Sequence, residues 1–396
     1  MKRNNSTIIF IAIFVLFVFQ KLIQIYLPVF SSFDEFFSLL CIPISIIYIL
    51  TNIKKINASK NSAKIILLLF IIVVIGLFSN FIYEYQPIKI VLSDLLVFMK
   101  FYLMYFFSRI YIAENKIKDI SVRRIISIIT IIFVILTFID FRYNIYNHHF
   151  YKGFMENQLF FGHATYLVAA CVFLLITNLL FKSNYFSKTN ILLILLILSS
   201  MKGKAIGFIV AYILLYFLVY KRKLILNVSK IMVIAFVCII FAYDKITTYY
   251  FVNDGFARQE LTVKSFEIAK DHFPFGTGFG TYGSFFSSVN YSPVYYQYHL
   301  SRIYGLQPNN TMFIADTFWP MIIGQFGIVG TLLYLLIIYY LYKNINDEFE
   351  KDNVNKYLAK LLGLIYLLIS STSETAFVNP MAIPIAMIMG IWIKKR

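Results

Sequence analysis

The sequence predicts an all-α polytopic integral membrane protein, with about twelve transmembrane helices and one large extracytoplasmic loop. Three observations carry that expectation: 60% of the 396 residues are hydrophobic, only 14% are charged, and the apolar residues gather in runs near twenty long. Such a run, coiled at about 1.5 Å per residue, crosses a hydrocarbon core of about 30 Å, whereas soluble domains carry roughly a quarter charged residues. A soluble enzyme, a disulfide scaffold and a disordered tail are excluded. The formal charge of +17 would point to nucleic acid in a soluble chain. In a membrane protein it reads as basic cytoplasmic loops, and no nucleic-acid partner is expected.

The elements follow in order. The first run, 7–27, comes after Met1-Lys-Arg-Asn-Asn with no small-residue cleavage site, so it reads as a signal anchor. Runs at 34–51, 65–83, 90–108, 125–141 and 161–181 are further spans. Runs 190–201 and 204–220 form a pair about the tight turn Met201-Lys-Gly-Lys204, the first of them short for an independent crossing. Run 224–243 precedes a long polar stretch, and 318–342, 358–373 and 380–393 complete the set. With the N-terminus inside, 24 of the 36 basic residues fall on the inner side, the sign that positive-inside topology requires. Both termini are therefore expected in the cytoplasm, and the chain is read as one polytopic domain, 1–396. Cys41, Cys171 and Cys238 lie within apolar runs with no CxxC spacing, so they read as small buried hydrophobes.

Two outer connections are long, 142–160 and 244–317. Loops as long as the second are usually functional. Its aromatics, Tyr249, Tyr250, Phe251, Tyr282, Tyr291, Tyr295, Tyr296 and Tyr298, predict a folded, surface-lying cap, with interfacial anchoring or sugar stacking as their use. From Arg258 to Asp271, the positions Leu261, Val263, Phe266, Ile268 and Ala269 fit an amphipathic helix on the membrane. Pro274 ends it, and Gly276-Thr-Gly278-Phe-Gly280 follows. No strand precedes these glycines, so they are not a dinucleotide fingerprint. They bring backbone N–H groups close to an oxyanion, or they make a plain reverse turn.

Basic residues retained on the outer side are the more telling feature: Lys202, Lys204, Arg258 and Arg302. A diphosphate headgroup needs several cations, and arginine supplies a forked donor; the alternative is snorkelling to ordinary lipid phosphate. A bundle-internal ion pair accounts for Asp94 and Lys100 in the fourth span. The acidic run from Asp347 to Asp352 reads as a solvated cytoplasmic loop. His148, His149, His163, His272 and His299 fall on the outer side without zinc-binding spacing, and ordinary hydrogen-bonded roles are expected for them, with a general base as the alternative. There is no Asp-x-Asp pair, Walker loop or Gly-x-Ser-x-Gly elbow. No metal site and no cofactor are expected, and any sugar donor should be lipid-linked and handled outside.

Three local features then resemble the O-antigen polymerase and ligase superfamily, the Wzy-type polysaccharide polymerases in particular. Ser199-Ser-Met-Lys202-Gly-Lys204-Ala-Ile-Gly207 resembles the family's outer Ser-Arg/Lys-x-Ala turn. Arg258 followed by Phe273-Pro-Phe-Gly276-Thr-Gly278 resembles its Arg…Pro-Leu-Gly-x-Gly loop. Asp316-Thr-Phe-Trp-Pro-Met-Ile-Ile-Gly324-Gln-Phe-Gly327-Ile-Val-Gly330 resembles the segment where that loop re-enters the membrane, with Asp316 near the place where ligase-like members carry a His. The resemblance spans the chain in topology and about eighty residues in motif. It implies a bacterial inner-membrane glycosyltransferase of O-antigen or capsule biosynthesis, moving a growing glycan from undecaprenyl diphosphate onto a second lipid-linked repeat unit. Its partners would be that lipid-linked oligosaccharide, membrane lipids, a chain-length regulator and a flippase. Arg258, Lys202, Lys204 and Arg302 would hold the departing diphosphate, with Gly276 and Gly278 lining the site. Asp316, then His299, are the candidate bases. A ligase differs only in its acceptor, and the absent His tilts against it. A lipid-linked oligosaccharide flippase should have short outer loops and two related halves, which this chain lacks.

Overall fold

The computed structural model describes residues 2–27, 30, 32–52, 59–112, 117–146, 150–151, 153–227 and 257–391. They are overwhelmingly helical. α1 (Lys2–Val18) and α2 (Gln20–Tyr26) are bent by 57° about Phe19. α3 (Phe33–Asn52) carries Pro43 inside it. α4 (Lys60–Tyr83) starts where the Ser59 hydroxyl accepts the Ser62 N–H, the side-chain cap that satisfies an orphan helix donor. α5 (Ile88–Tyr111) and α6 (Asp119–Tyr143) follow, then a pair of two-residue antiparallel strands, β1 (Phe150–Tyr151) and β2 (Phe154–Met155). α7 (Ala164–Leu180), α8 (Lys188–Ser199) and α9 (Gly203–Leu215) complete the first part. The second part is a cap, with α10 (Ala257–Asp271), α11 (Phe285–Val289) and α12 (Pro293–Gln297), followed by α13 (Phe318–Asp347), α14 (Val354–Ser370) and α15 (Ala382–Gly390).

α7 is apolar on every face and buried throughout from Leu167 to Leu180, as an all-round hydrophobic helix must be. It packs against α8 and α14 and forms the middle of the core. α4 and α6 instead expose ridges of large apolar residues: Ile66, Leu67, Phe70 and Val74 on one, Ile128, Ile131, Ile135 and Phe138 on the other. Ridges of that size are what lipid-facing helices present.

Among the described residues, five helices are long and apolar enough to cross a membrane, or six if the bent α1–α2 pair counts as one span. That is fewer than the twelve expected. Most expected runs do coincide with helices, but α7 and α14 have 17 residues, α8 has 12 and α15 has nine, short of the roughly twenty a straight crossing needs. Run 224–243 lies outside the described residues beyond Asn227, as do Cys238, His148, His149 and the start of the expected loop, 244–256.

The cap has its own core of Leu261, Ile268, Tyr282, Val294, Tyr295, Leu300, Leu306 and Ile314. Tyr282 and Tyr295 stack inside it at 5.7 Å, so these two of the expected surface aromatics are structural. α10 is amphipathic, but its apolar residues split. Leu261 and Ile268 face the cap core and Ala269 is buried, while Val263 and Phe266 are exposed.

α13 is broken at Gly327 (φ 62°, ψ −165°). A broken helix frees backbone groups that must find partners, and the glycine turn supplies them. The Thr277 and Gly278 N–H groups donate to the Gly324 and Gln325 carbonyls at 3.0 and 2.8 Å, and the Val329 N–H donates to the Pro274 carbonyl at 3.4 Å. The cap is thereby stitched into the bundle. Asn80 adds a second joint, donating to the Phe279 carbonyl at 3.0 Å and accepting the Phe279 N–H at 2.7 Å.

Candidate functional site

Three ion pairs gather where α7, α9, α10, α13 and α14 have their ends. Arg258, in the first turn of α10, donates to Asp316, one residue before the α13 cap, at 3.0 Å. Lys204, in the first turn of α9, donates to Glu374 at 2.7 Å. Lys202, the N-cap residue of α9, donates to Glu156 at 2.7 Å. The pairs form one neighbourhood: Lys204 feels the charges of Glu374, Lys202 and Arg258, and Asp316 feels those of Arg258 and Glu374. The Arg258 guanidinium also donates to the Ser373 carbonyl at 3.5 Å, next to Glu374 in the chain.

Local structure places each of these side chains. Asn157 fastens the segment after β2 to the end of α8: its N–H donates to the Ser199 carbonyl at 3.0 Å, and its amide donates to the Ser199 and Thr137 hydroxyls at 2.9 and 3.0 Å. That sets Glu156 opposite Lys202. Glu374 stands in the turn after α14, its N–H bonded to the Ser370 carbonyl at 3.0 Å. Trp319 donates from its indole to the Ser371 hydroxyl at 3.0 Å, tying the start of α13 to the same turn. His163 caps α7, its Nδ1 accepting the Thr165 N–H at 3.2 Å. Tyr166 lies in the first turn beyond it with the Lys21 ammonium 4.5 Å from its ring centroid. A small cleft beside Glu374 is lined by Thr165, Tyr166, Tyr366 and Asn379.

Burial holds the Asp316 carboxyl above the usual carboxylate range; Arg258 opposes this and Glu374 adds to it. Cations beside carboxylates can hold a polyanion and accept a proton next to it.

The sequence-selected residues divide. Arg258, Asp316, Lys202 and Lys204 come together from three motifs far apart in the chain. His299 and Arg302 lie on the exposed surface of the cap, and no hydrogen bond or ion pair joins either to the cluster among the described residues. Gly276 and Gly278 have positive φ, 72° and 94°. The Gly276 N–H donates to the His272 carbonyl at 3.0 Å and that of Gly278 to Gln325, so in this structure the turn is a packing joint and not an open oxyanion cradle. A side chain on Gly276 would meet the Gly327 nitrogen at 2.4 Å.

Asp94 and Lys100 each have another partner in place of the expected mutual pair. Asp94 accepts from the Gly280 N–H at 2.7 Å and from Gln325 at 3.1 Å, while Lys100 donates to Asp34 at 2.5 Å and Glu35 at 3.1 Å. The acidic run is not simply solvated either: Glu348 pairs with Arg109 at 2.7 Å and with Lys360. His272 is hydrogen-bonded between Tyr85 and the Ile268 carbonyl. Among the described residues, no three His, Cys, Asp or Glu side chains gather to hold a metal ion.

Sequence reading missed Glu156, Glu374, His163 and Tyr166 as neighbours of the cations. The signal was available for the two glutamates, since both lie in connections assigned to the same side as Lys202 and Lys204. The apolar helices and this cluster define a helical membrane protein with a charged site at the root of a cap. No protein-family model matches the chain, and no curated protein matches it.

Proposed function

We propose that this chain is a polysaccharide polymerase of the Wzy type, transferring a growing glycan from undecaprenyl diphosphate onto a lipid-linked repeat unit. The observation that carries this reading is the convergence of Arg258, Asp316, Lys202 and Lys204 into one charged neighbourhood of three ion pairs. They belong to three motifs that are separate in the sequence.

In this reading the acceptor hydroxyl oxygen bonds to the anomeric carbon of the donor glycan. The bond from that carbon to the diphosphate oxygen breaks, and its electron pair leaves with the diphosphate. Arg258, Lys202 and Lys204 stabilise the charge that develops there, the kind of preorganised electrostatic help that is often the largest single contribution to a rate. Asp316 accepts the hydroxyl proton. The chain crosses the inner membrane about twelve times, both termini are cytoplasmic, and the cap faces outward. No metal ion is required, because cations take its place at the leaving group. A chain-length regulator and a flippase are the expected partners.

Deletion of the gene followed by electrophoresis of lipid-linked glycans tests the reading. A ladder reduced to a single repeat unit is the expected outcome. Loss of all surface attachment with the ladder intact on the lipid carrier would replace polymerase by ligase.

A further inference from the structure

Each cation of the cluster is already matched to a carboxylate: Arg258 to Asp316, Lys204 to Glu374 and Lys202 to Glu156. Resting on the function proposed above, we propose that Glu374 and Glu156 are positioning residues that hold a charge-balanced resting cluster, and that the donor diphosphate enters by exchanging for the carboxylates on these cations.

Burial explains why the resting partners are needed. The Lys204 side chain is only 5% exposed, and an ammonium that deep is costly without an opposite charge. A site built only of cations would be unstable when empty, and three carboxylates remove that instability. They also block the site: the diphosphate needs the same N–H donors that the carboxylates occupy. Exposure and donor geometry set the order of exchange. Arg258 and Lys202 are similarly open, at 23% and 25%, Asp316 is 31% exposed, and Lys204 lies deepest. Exchange starts at Arg258, because a planar fork can engage a diphosphate bidentately as it leaves a carboxylate, and finishes at the deepest cation, Lys204.

The exchange has a consequence for chemistry. In the resting pair the Asp316 carboxylate is engaged by Arg258. Once Arg258 turns to the diphosphate, Asp316 regains the lone pair that an acceptor hydroxyl needs. Donor binding thus arms the base, and the acceptor is bound productively only afterwards.

A structural salt bridge and an exchanging one give opposite results on one measurement. Farnesyl diphosphate, a short prenyl diphosphate, is titrated by calorimetry into the full chain in lipid nanodiscs. Glu374→Gln removes a competitor for Lys204 and should tighten binding about fivefold, the upper end of the scale for a single ion pair. Glu374→Asp keeps the competitor and should bind like the wild type, and Lys204→Met should weaken binding in either background. In turnover assays Glu374→Gln should lower KM for the lipid-linked donor while lowering kcat, because product diphosphate is no longer displaced. Wild-type binding with equal or weaker binding by Glu374→Gln, at equal abundance in the membrane, overturns the exchange alone. Absence of binding by the wild type overturns the diphosphate-donor function and the exchange with it.

Discussion

At the residue scale, the proposed function assigns Arg258 to the leaving group and Asp316 to the base. If Arg258 holds the departing diphosphate, Arg258→Ala should lower turnover by roughly a hundredfold or more. Arg258→Lys keeps the charge but loses the fork, so it should recover only part of that. Near-normal glycan length in Arg258→Ala at equal expression would sink the role. Lys270→Ala, on the same helix but away from the cluster, is the mild control. Asp316 makes a separate prediction in pH. Its carboxyl is held above the usual range by burial, against the pull of Arg258. A base titrating there loses activity as pH falls through that raised value, so the acid limb of kcat/KM should lie above the ordinary carboxylate pKa of about 3.9. Removing the opposing charge in Arg258→Gln should move the limb further up. The sign for stability is opposite: a raised folded-state pKa means that the folded state binds the proton more tightly, so protonation of Asp316 favours folding. Loss of activity on that limb should therefore occur without loss of near-ultraviolet dichroism, and unfolding in the same pH window would show that the limb reports something else.

At the element scale, the cap depends on the break in α13. Gly276 and Gly327 both have positive φ, and each approaches the backbone of the other segment so closely that an added Cβ would lie at 2.4–2.5 Å. Gly276→Ala or Gly327→Ala should each destabilise the protein by about 2 kcal/mol or more, from backbone strain alone. The expected readout is a lowered Tm and reduced abundance, with farnesyl diphosphate binding retained by whatever folds. A second element-scale device is the Lys100 contact with Asp34 and Glu35, which joins α5 to the start of α3. Lys100→Met leaves buried carboxylates without their cation, so it should cost about 3–5 kcal/mol, and adding Asp34→Leu should recover part of the loss. No recovery in the double variant would show that the residues act independently. These two devices also mark what the sequence could disclose. Apolar runs located α4, α5, α6 and α13, because burying or lipid-facing side chains every turn leaves a one-dimensional trace. Arg258, Lys202 and Lys204 stood out because basic residues in connections read as outer run against the positive-inside bias. The Lys100–Asp34 pairing was not legible, since 66 residues separate the two. Nor was the partnership of Lys204 with Glu374, 170 residues away, which depends on how α9 and α14 pack. The glycine turn was seen, but its partner was not: only the break at Gly327 reveals that its N–H groups are spent on carbonyls.

At the scale of the whole molecule, charge sits at both ends of α13. Near its start lie Arg258 and Asp316, and just past its end Glu348 pairs with Arg109 and Lys360. Its 30 residues rise at most about 45 Å, enough to carry the two networks beyond opposite edges of a hydrocarbon core about 30 Å thick. The helix between is apolar and qualifies as a span in its own right, so a crossing α13 requires the networks to face different compartments. Lys343, Lys351 and Lys356 lie near the Glu348 end in sequence, so the proposed topology puts that end in the cytoplasm by the positive-inside bias and the cap outside. Paired reporter fusions test this without any assumption about chemistry. A fusion near Tyr291 in the cap should be active only as a reporter that folds outside the cytoplasm, and a fusion at Asp352 only as a cytoplasmic one. Both positions reporting the same compartment would mean that α13 does not cross. Reversed compartments would keep the crossing but put the cation cluster on the cytoplasmic side, where a lipid-linked glycan awaiting polymerisation on the outer face could not reach it.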